Sequence, residues 1–230
     1  LKGPLLTEAP ASKEILNLTD STYQGTPIQP GEIQEEDAIV FPLLHGPNGE
    51  DGTIQGFLET IGMPYVGAGV LTSACGMDKI MTKYILQAAG IPQVPYVPVL
   101  KNYWKDNPKK VFEQCEGSLL YPMFIKPANM GSSVGITKAE NREELQHALQ
   151  EAYRYDTRAI VEQGIEAREI EVAVLGNEDV RTTLPGEIVK DVAFYDYHSK
   201  YLDNKIEMQI PAQIPEETQA KAQEFAKKAY

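Results

Sequence analysis

Apolar positions along this chain follow two periods, one near 3.6 residues and one of 2, and together they predict an order of elements. Residues 1–37, rich in Pro, Thr, Glu and Gly, carry little periodicity and read as surface excursions with short strands. "DAIVFPLLHG" (37–46) reads as a buried strand, Ala38 to Phe41, running into a loop. A helix follows with Ile54, Phe57, Leu58 and Ile61 on one face, stopped by Gly62 and Pro64. "PYVGAGV" reads as a strand and turn. Residues 77–90 form an amphipathic pattern with Met77, Ile80, Met81, Tyr84, Ile85 and Ala88 in one stripe, ended by Gly90 and Pro92. "YPMFIKP" (121–127) reads as a strand. Residues 141–153 read as a helix with Leu145, Ala148, Leu149 and Ala152 inward and an Asn141/Glu144 capping box. Strands are expected at 158–163, 169–176 and 187–195. "KIEMQI" (205–210) alternates strictly and so is half buried. Residues 216–230 read as a helix with Ala222, Phe225, Ala226 and Ala229 inward. The order is α/β at the start, then an α+β region whose later strands are mainly antiparallel.

Composition changes this picture little, and charge changes it more. The chain has 230 residues, 42% of them hydrophobic, enough for one large domain or two modest ones. Its 33 acidic and 21 basic residues give a net charge of −12, which argues against nucleic acid or an anionic membrane surface as a partner. Any anionic ligand must be met by a few local lysines, so each lysine's place is informative. The 2 cysteines, Cys75 and Cys115, have no metal spacing and read as thiols of a reducing compartment. No apolar run approaches a membrane span, and no signal peptide is visible. The chain starts without methionine and ends inside a helical pattern, from which missing segments at both ends are expected.

Candidate chemistry centres on "FIKPANMGSSVGIT" (124–137). Lys126 ends a strand, and Gly131, Ser132 and Ser133 follow in a loop with little side chain. The order is neither a Walker A loop nor a dinucleotide fingerprint, in which the glycines come first. Small residues let main-chain N–H groups face an anion, and the hydroxyls add donors. A glycine-rich hairpin with a snorkelling lysine accounts for the same residues equally well. Lys79 and Lys83, taken alone, read as solvated helix lysines. Glu162 ends an apolar strand, and Glu169 opens the next with Glu171 on the same face. Carboxylates there suit amino or hydroxyl donors, while a solvated strand edge is the plain reading, kept for Glu171. "FYDYHSKYLDN" (194–204) gathers three tyrosines with Lys200 and Tyr201 between two strands, as an excursion able to close over a site. His45 follows the first buried strand, where α/β folds bind ligands.

Five blocks, "LLHGPNGEDGTIQGFLE", "GMDKIMTK", "FIKPANMGSSVGI", "VEQGIEAREIEVAVLG" and "FYDYHSKYLDN", resemble the D-alanine–D-alanine ligases in order and spacing across residues 38–230. That resemblance implies an ATP-grasp fold. A partial N-terminal Rossmann-like substrate domain would take residues 1–67, and a central ATP-grasp subdomain 68–162. A partial C-terminal subdomain, with a lid loop at 194–204, would take 163–230. It implies a cytoplasmic enzyme of peptidoglycan synthesis, a homodimer, that joins two D-alanines through an acylphosphate at the expense of ATP.

By the same resemblance, Lys79 and Lys126 would hold the ATP phosphates and Gly131, Ser132 and Ser133 would cover them. Glu162 would accept from the adenine amino group beside the Ile165 main chain, and Glu169 would hold the ribose. Lys200 would reach the γ-phosphate, Tyr201 would tie the lid to Ser132, and His45 would face the first D-alanine. Tyrosine at 201 goes with D-alanine as second substrate in this family, histidine with D-lactate. Two Mg²⁺ ions, or Mn²⁺, are implied, but the family's metal-ligand segment and its N-terminal glycine-rich strand have no counterpart here, so their ligands are expected outside these residues. The competing readings are a D-alanine–D-lactate or D-alanine–D-serine ligase and a non-catalytic nucleotide-binding module.

Overall fold

The computed structural model describes residues 37–190 and 206–230. At its centre lies a four-stranded antiparallel sheet in the order β1-β4-β2-β3, made of β1 (Tyr96–Leu100), β2 (Met123–Pro127), β3 (Thr137–Ala139) and β4 (Arg158–Gln163). The period of two along these strands gives the sheet two different faces. Val97, Val99, Met123, Ile125, Ala159 and Val161 point to one of them. There they join Trp104 of α4 (Lys101–Asp106), Val111 and Cys115 of α5 (Pro108–Ser118), and Leu145, Ala148, Leu149 and Ala152 of α6 (Arg142–Ala152) in the main core. Helix α6 matches its expectation closely. Asn141 caps it by accepting from the Glu144 N–H at 3.0 Å, and Glu144 reaches back to the Glu140 N–H at 2.9 Å.

The alternate strand positions face the other way. Ile160 packs there with Ile80 and Ala128, with Tyr96 against them, under α3 (Lys79–Ala88). Parity therefore places Lys126 and Glu162 on the α3 side of the sheet, away from the main core.

Four expectations need correction here. First, "DAIVFP" is not a buried strand: Val40 makes a single parallel bridge to Tyr65, and Ile39 and Phe41 are exposed. A parallel strand is buried only between neighbours on both sides, and among the described residues Val40 has one. Second, the strand and turn expected of "PYVGAGV" reduce to one bridge at Tyr65 and a bend, and its last residue opens a helix, α2 (Val70–Met77), packed on α1 (Thr53–Thr60). Third, α3 begins at Lys79, and of its expected inward stripe only Ile80 is buried, while Met81, Tyr84 and Ile85 are exposed. The face that meets the sheet is the lysine face, because it has a buried carboxylate to answer. Fourth, in α7 (Glu216–Ala229) the expected face is half-buried at Ala222, Phe225 and Ala226, but Ala229 is exposed and no residue is fully buried. Elements β1, α4 and α5 carried no sequence expectation.

The later strands are antiparallel, as expected. β5 (Glu169–Glu171), β8 (Gly186–Lys190) and β9 (Ile206–Gln209) form one sheet, and β6 (Val174–Leu175) with β7 (Arg181–Thr182) forms a hairpin.

Candidate functional site

The site is built where α3, β2 and β4 meet. Asp78, 6% exposed, caps α3 by accepting from the Ile80 and Met81 N–H groups at 3.1 and 3.0 Å, and pairs with Arg158 at the start of β4. The Lys79 N–H donates to the Ala128 carbonyl at 2.8 Å. These contacts fix the first turn of α3 against the sheet, and with it the directions of Lys79 and Lys83, one turn apart on the same helix face.

Lys79 Nζ donates to the Met130 carbonyl at 2.5 Å, at the entrance of the 131–135 loop. Burial pushes its ammonium group below the usual lysine range, and the neighbouring Lys126 pushes it the same way, with Glu162 partly compensating. Lys126 and Glu162 are diagonal neighbours across β2 and β4, and they form an ion pair. The other oxygen of Glu162 takes Lys83 at 2.8 Å, with the two side chains 14% and 9% exposed. Burial alone would raise the Glu162 pKa, but the two lysines outweigh it and hold the carboxyl below its ordinary range. Lys83 is therefore no solvated helix lysine. Its ammonium also lies 5.5 Å from the centre of the Tyr96 ring.

The loop after Lys126 is strained. Ser132 and Ser133 both adopt positive φ, 51° and 61°, uncommon for residues with a Cβ. Such a turn aims successive N–H groups toward one point, the geometry of an anion-binding concavity. Gly135 follows at φ 72°, and a Cβ there would lie 2.7 Å from Tyr155 Cδ2, so glycine is required. The Asn129 N–H is anchored to Asp156 at 2.8 Å, while its buried side-chain oxygen has no hydrogen-bond partner among the described residues.

His45 is exposed, next to a tight turn in which the Gly46 N–H donates to Glu50 at 2.5 Å and which touches Gly131. Ile165 is exposed, as is Glu169, whose strand start is set by a bidentate Arg168–Glu187 pair at 2.6 and 2.6 Å. The structure thus brings Lys79, Lys126, Glu162 and the Met130–Gly131 segment together and adds Lys83. His45 reaches them only through the Gly46–Gly131 contact. Lys200, Tyr201 and the expected Tyr201–Ser132 tie lie outside the described residues. Asp78, Arg158 and Asn129 were not singled out by sequence, and Lys83, read there as a solvated lysine, is instead on Glu162. For Asp78 the signal existed, an aspartate directly before a helical period.

Residues 6–68 match the family described as D-ala D-ala ligase N-terminus, and residues 85–230 match D-ala D-ala ligase C-terminus. The chain belongs to the D-alanine–D-alanine ligase family. It is 96% identical over its whole length to the D-alanine–D-alanine ligase of Enterococcus gallinarum, of which it spans 73%. It is 78% identical to that of Enterococcus hirae, of which it spans 66%. Among solved structures, a D-Ala:D-Ser ligase from Enterococcus faecalis superposes with a TM-score of 0.74 at 39% identity, covering 84% of this chain and 55% of that one. A D-alanine–D-alanine ligase from Coxiella burnetii gives 0.68 at 34%, covering 83% and 49%. The ligase architecture, mixed helices and sheets in an ATP-grasp fold, is therefore that of this chain.

Proposed function

We propose that the intact protein ligates two D-alanines to D-alanyl-D-alanine at the expense of ATP, in cell-wall synthesis, and that the residues described here are its nucleotide-binding part. What supports this most is the meeting of Lys79, Lys126 and Glu162 beside the strained Ser132–Ser133 loop, in a chain 96% identical to a D-alanine–D-alanine ligase.

The chemistry suits these groups. Phosphoryl transfer depends on positioning and on neutralising charge. Lys79 and Lys126 reach one region from a helix and a strand, and N–H groups of the loop would add donors. Glu162, held ionised, presents an acceptor for the adenine amino group with the Ile165 main chain beside it, and Glu169 an acceptor for the ribose. The covering loop with Lys200 and Tyr201 would exclude water from a hydrolysable acylphosphate, Tyr201 bonding to Ser132. His45 would face the first D-alanine. Among the described residues no three or more His, Cys, Asp or Glu side chains form a metal-binding group, and the Mg²⁺ ligands that the family implies would come from elsewhere in the intact protein. The share of the described residues in the reaction is to bind nucleotide. No described helix is long and apolar enough to cross a membrane. The enzyme would draw ATP and D-alanine from the cytoplasm.

The test is phosphate release by the intact protein with ATP, Mg²⁺ and D-alanine, with D-serine and D-lactate offered in turn as second substrate. D-Alanyl-D-alanine as the main product is expected. No phosphate release with D-alanine would overturn the reading, and a preference for D-lactate or D-serine would select the alternative ligases. Light scattering of the intact protein tests the homodimer.

A further inference from the structure

We propose that Lys83 is a positioning residue for the nucleotide: it stays on Glu162 and so frees Lys126 to leave that carboxylate for the phosphate chain. The inference rests on the nucleotide reading above and adds a residue to it.

Glu162 is a buried carboxylate with a lysine on each oxygen, Lys83 at 2.8 Å and Lys126 on the other. Two cations on one anion exceed what the carboxylate itself needs. Without nucleotide, then, Lys126 is parked on Glu162, as Lys79 is parked on the Met130 carbonyl. An ATP phosphate can recruit Lys126 only if Glu162 is not left as a bare buried charge, which would be strongly unfavourable. Lys83 is placed to prevent that. It comes from α3 and not from the sheet, it is 14% exposed, and the Tyr96 ring lies against it. Tyr96 is itself fixed, its hydroxyl donating to Gln87 of α3 at 3.1 Å. Lys126, 26% exposed, is the freer of the two. One helix turn therefore carries Lys79 toward the phosphate loop and Lys83 toward the carboxylate, so α3 coordinates both ends of the site.

The test measures ATP affinity by calorimetry on the intact protein and on its variants at Lys83, Lys126 and Glu162. Lys83→Met is expected to weaken ATP by about tenfold. Lys83→Met added to Lys126→Met should cost no further affinity, because there is no longer a Lys126 to release. Lys83→Met added to Glu162→Gln should also cost little, because the carboxylate that traps Lys126 is gone. Lys83→Arg, which keeps the cation, should retain most of the affinity. A merely structural lysine would give losses that add on both backgrounds, and that result overturns the proposal, as would unchanged ATP affinity in Lys83→Met. Lys126→Met without effect on ATP would instead overturn the nucleotide reading beneath it. Should Lys83→Met not fold, the Lys83→Gln/Glu162→Gln pair, which removes both charges together, carries the same comparison against Glu162→Gln.

Discussion

Gly131 and Gly46 meet backbone to backbone: a Cβ on Gly131 would lie 3.0 Å from the Gly46 Cα and 3.4 Å from its nitrogen. Two segments 85 positions apart, the loop after Lys126 and the turn after His45, are thus in register at a point where no side chain fits. Gly131→Ala must push these backbones apart. The expected result is a loss of about 1 kcal/mol in denaturant unfolding. The apparent KM for ATP should rise, because the Ser132 and Ser133 N–H groups move with the loop. Steady-state kinetics in ATP with D-alanine saturating checks this. An unchanged KM would mean that the loop does not need its contact with the turn.

Asp78 joins the cap of α3 to Arg158 of β4. Asp78→Ala removes a capping acceptor, typically worth about 1 kcal/mol, and leaves Arg158 without its partner. Arg158 is 36% exposed and can turn to water, so the ion-pair share is small. A total near 2 kcal/mol is expected in urea unfolding. Because the first turn of α3 carries Lys79, ATP affinity should fall along with stability, and Asp78→Asn, which keeps the cap, should restore most of both. Equal losses for the two variants would place the effect in the charge alone.

How much of this was legible in the sequence depended on what each residue was asked to do locally. Helix α6 was read nearly to its ends because period, cap and core face all agree at Asn141, Glu144 and Leu145. Strand β4 was legible from its short continuous apolar run, Ala159 to Val161, buried on both faces. The α3 stripe misled because amphipathicity names the apolar face without saying which face the tertiary structure needs. Here the demand of Glu162 for cations turned Lys79 and Lys83 inward and left Met81, Tyr84 and Ile85 exposed. The ion pairs of Glu162 join β4 to β2 and α3, partners far apart in the chain, so no local period could announce them. Lys126 and its loop were visible as a pattern, but their link to the turn at Gly46 was not.

Lys79 pays for its position. Its ammonium group is desolvated and lies near Lys126, so its pKa in the folded protein is lowered. The unfolded chain then binds more protons than the folded one between that lowered value and the ordinary lysine value of 10.5, and stability rises with pH across that window. Lys79→Met removes the desolvated charge and should raise the unfolding free energy by about 1 kcal/mol near neutral pH, an exchange of function for stability. The same variant should lose most of its ATP affinity. Thermal melts and calorimetry on one preparation test both halves, and a Lys79→Met protein that is less stable than wild type would contradict the first.

Glu162 gives the opposite sign at acid pH. Its folded pKa lies below the ordinary glutamate value of 4.5 because Lys126 and Lys83 outweigh the effect of burial. The ionised carboxylate therefore contributes stability that is fully present above the unfolded value and is lost as pH falls through the lower folded value. Glu162→Gln keeps the shape but leaves two lysines facing each other without an anion. Removing one partner of a buried pair costs about 3 kcal/mol, and that is the gap expected between wild type and Glu162→Gln in urea unfolding at about pH 7. The gap should hold down to about pH 5 and then narrow as wild-type Glu162 becomes protonated. Urea midpoints for both proteins across that range decide the matter. A gap constant down to about pH 3 would mean that the lysines bind the side chain by packing and not by its charge.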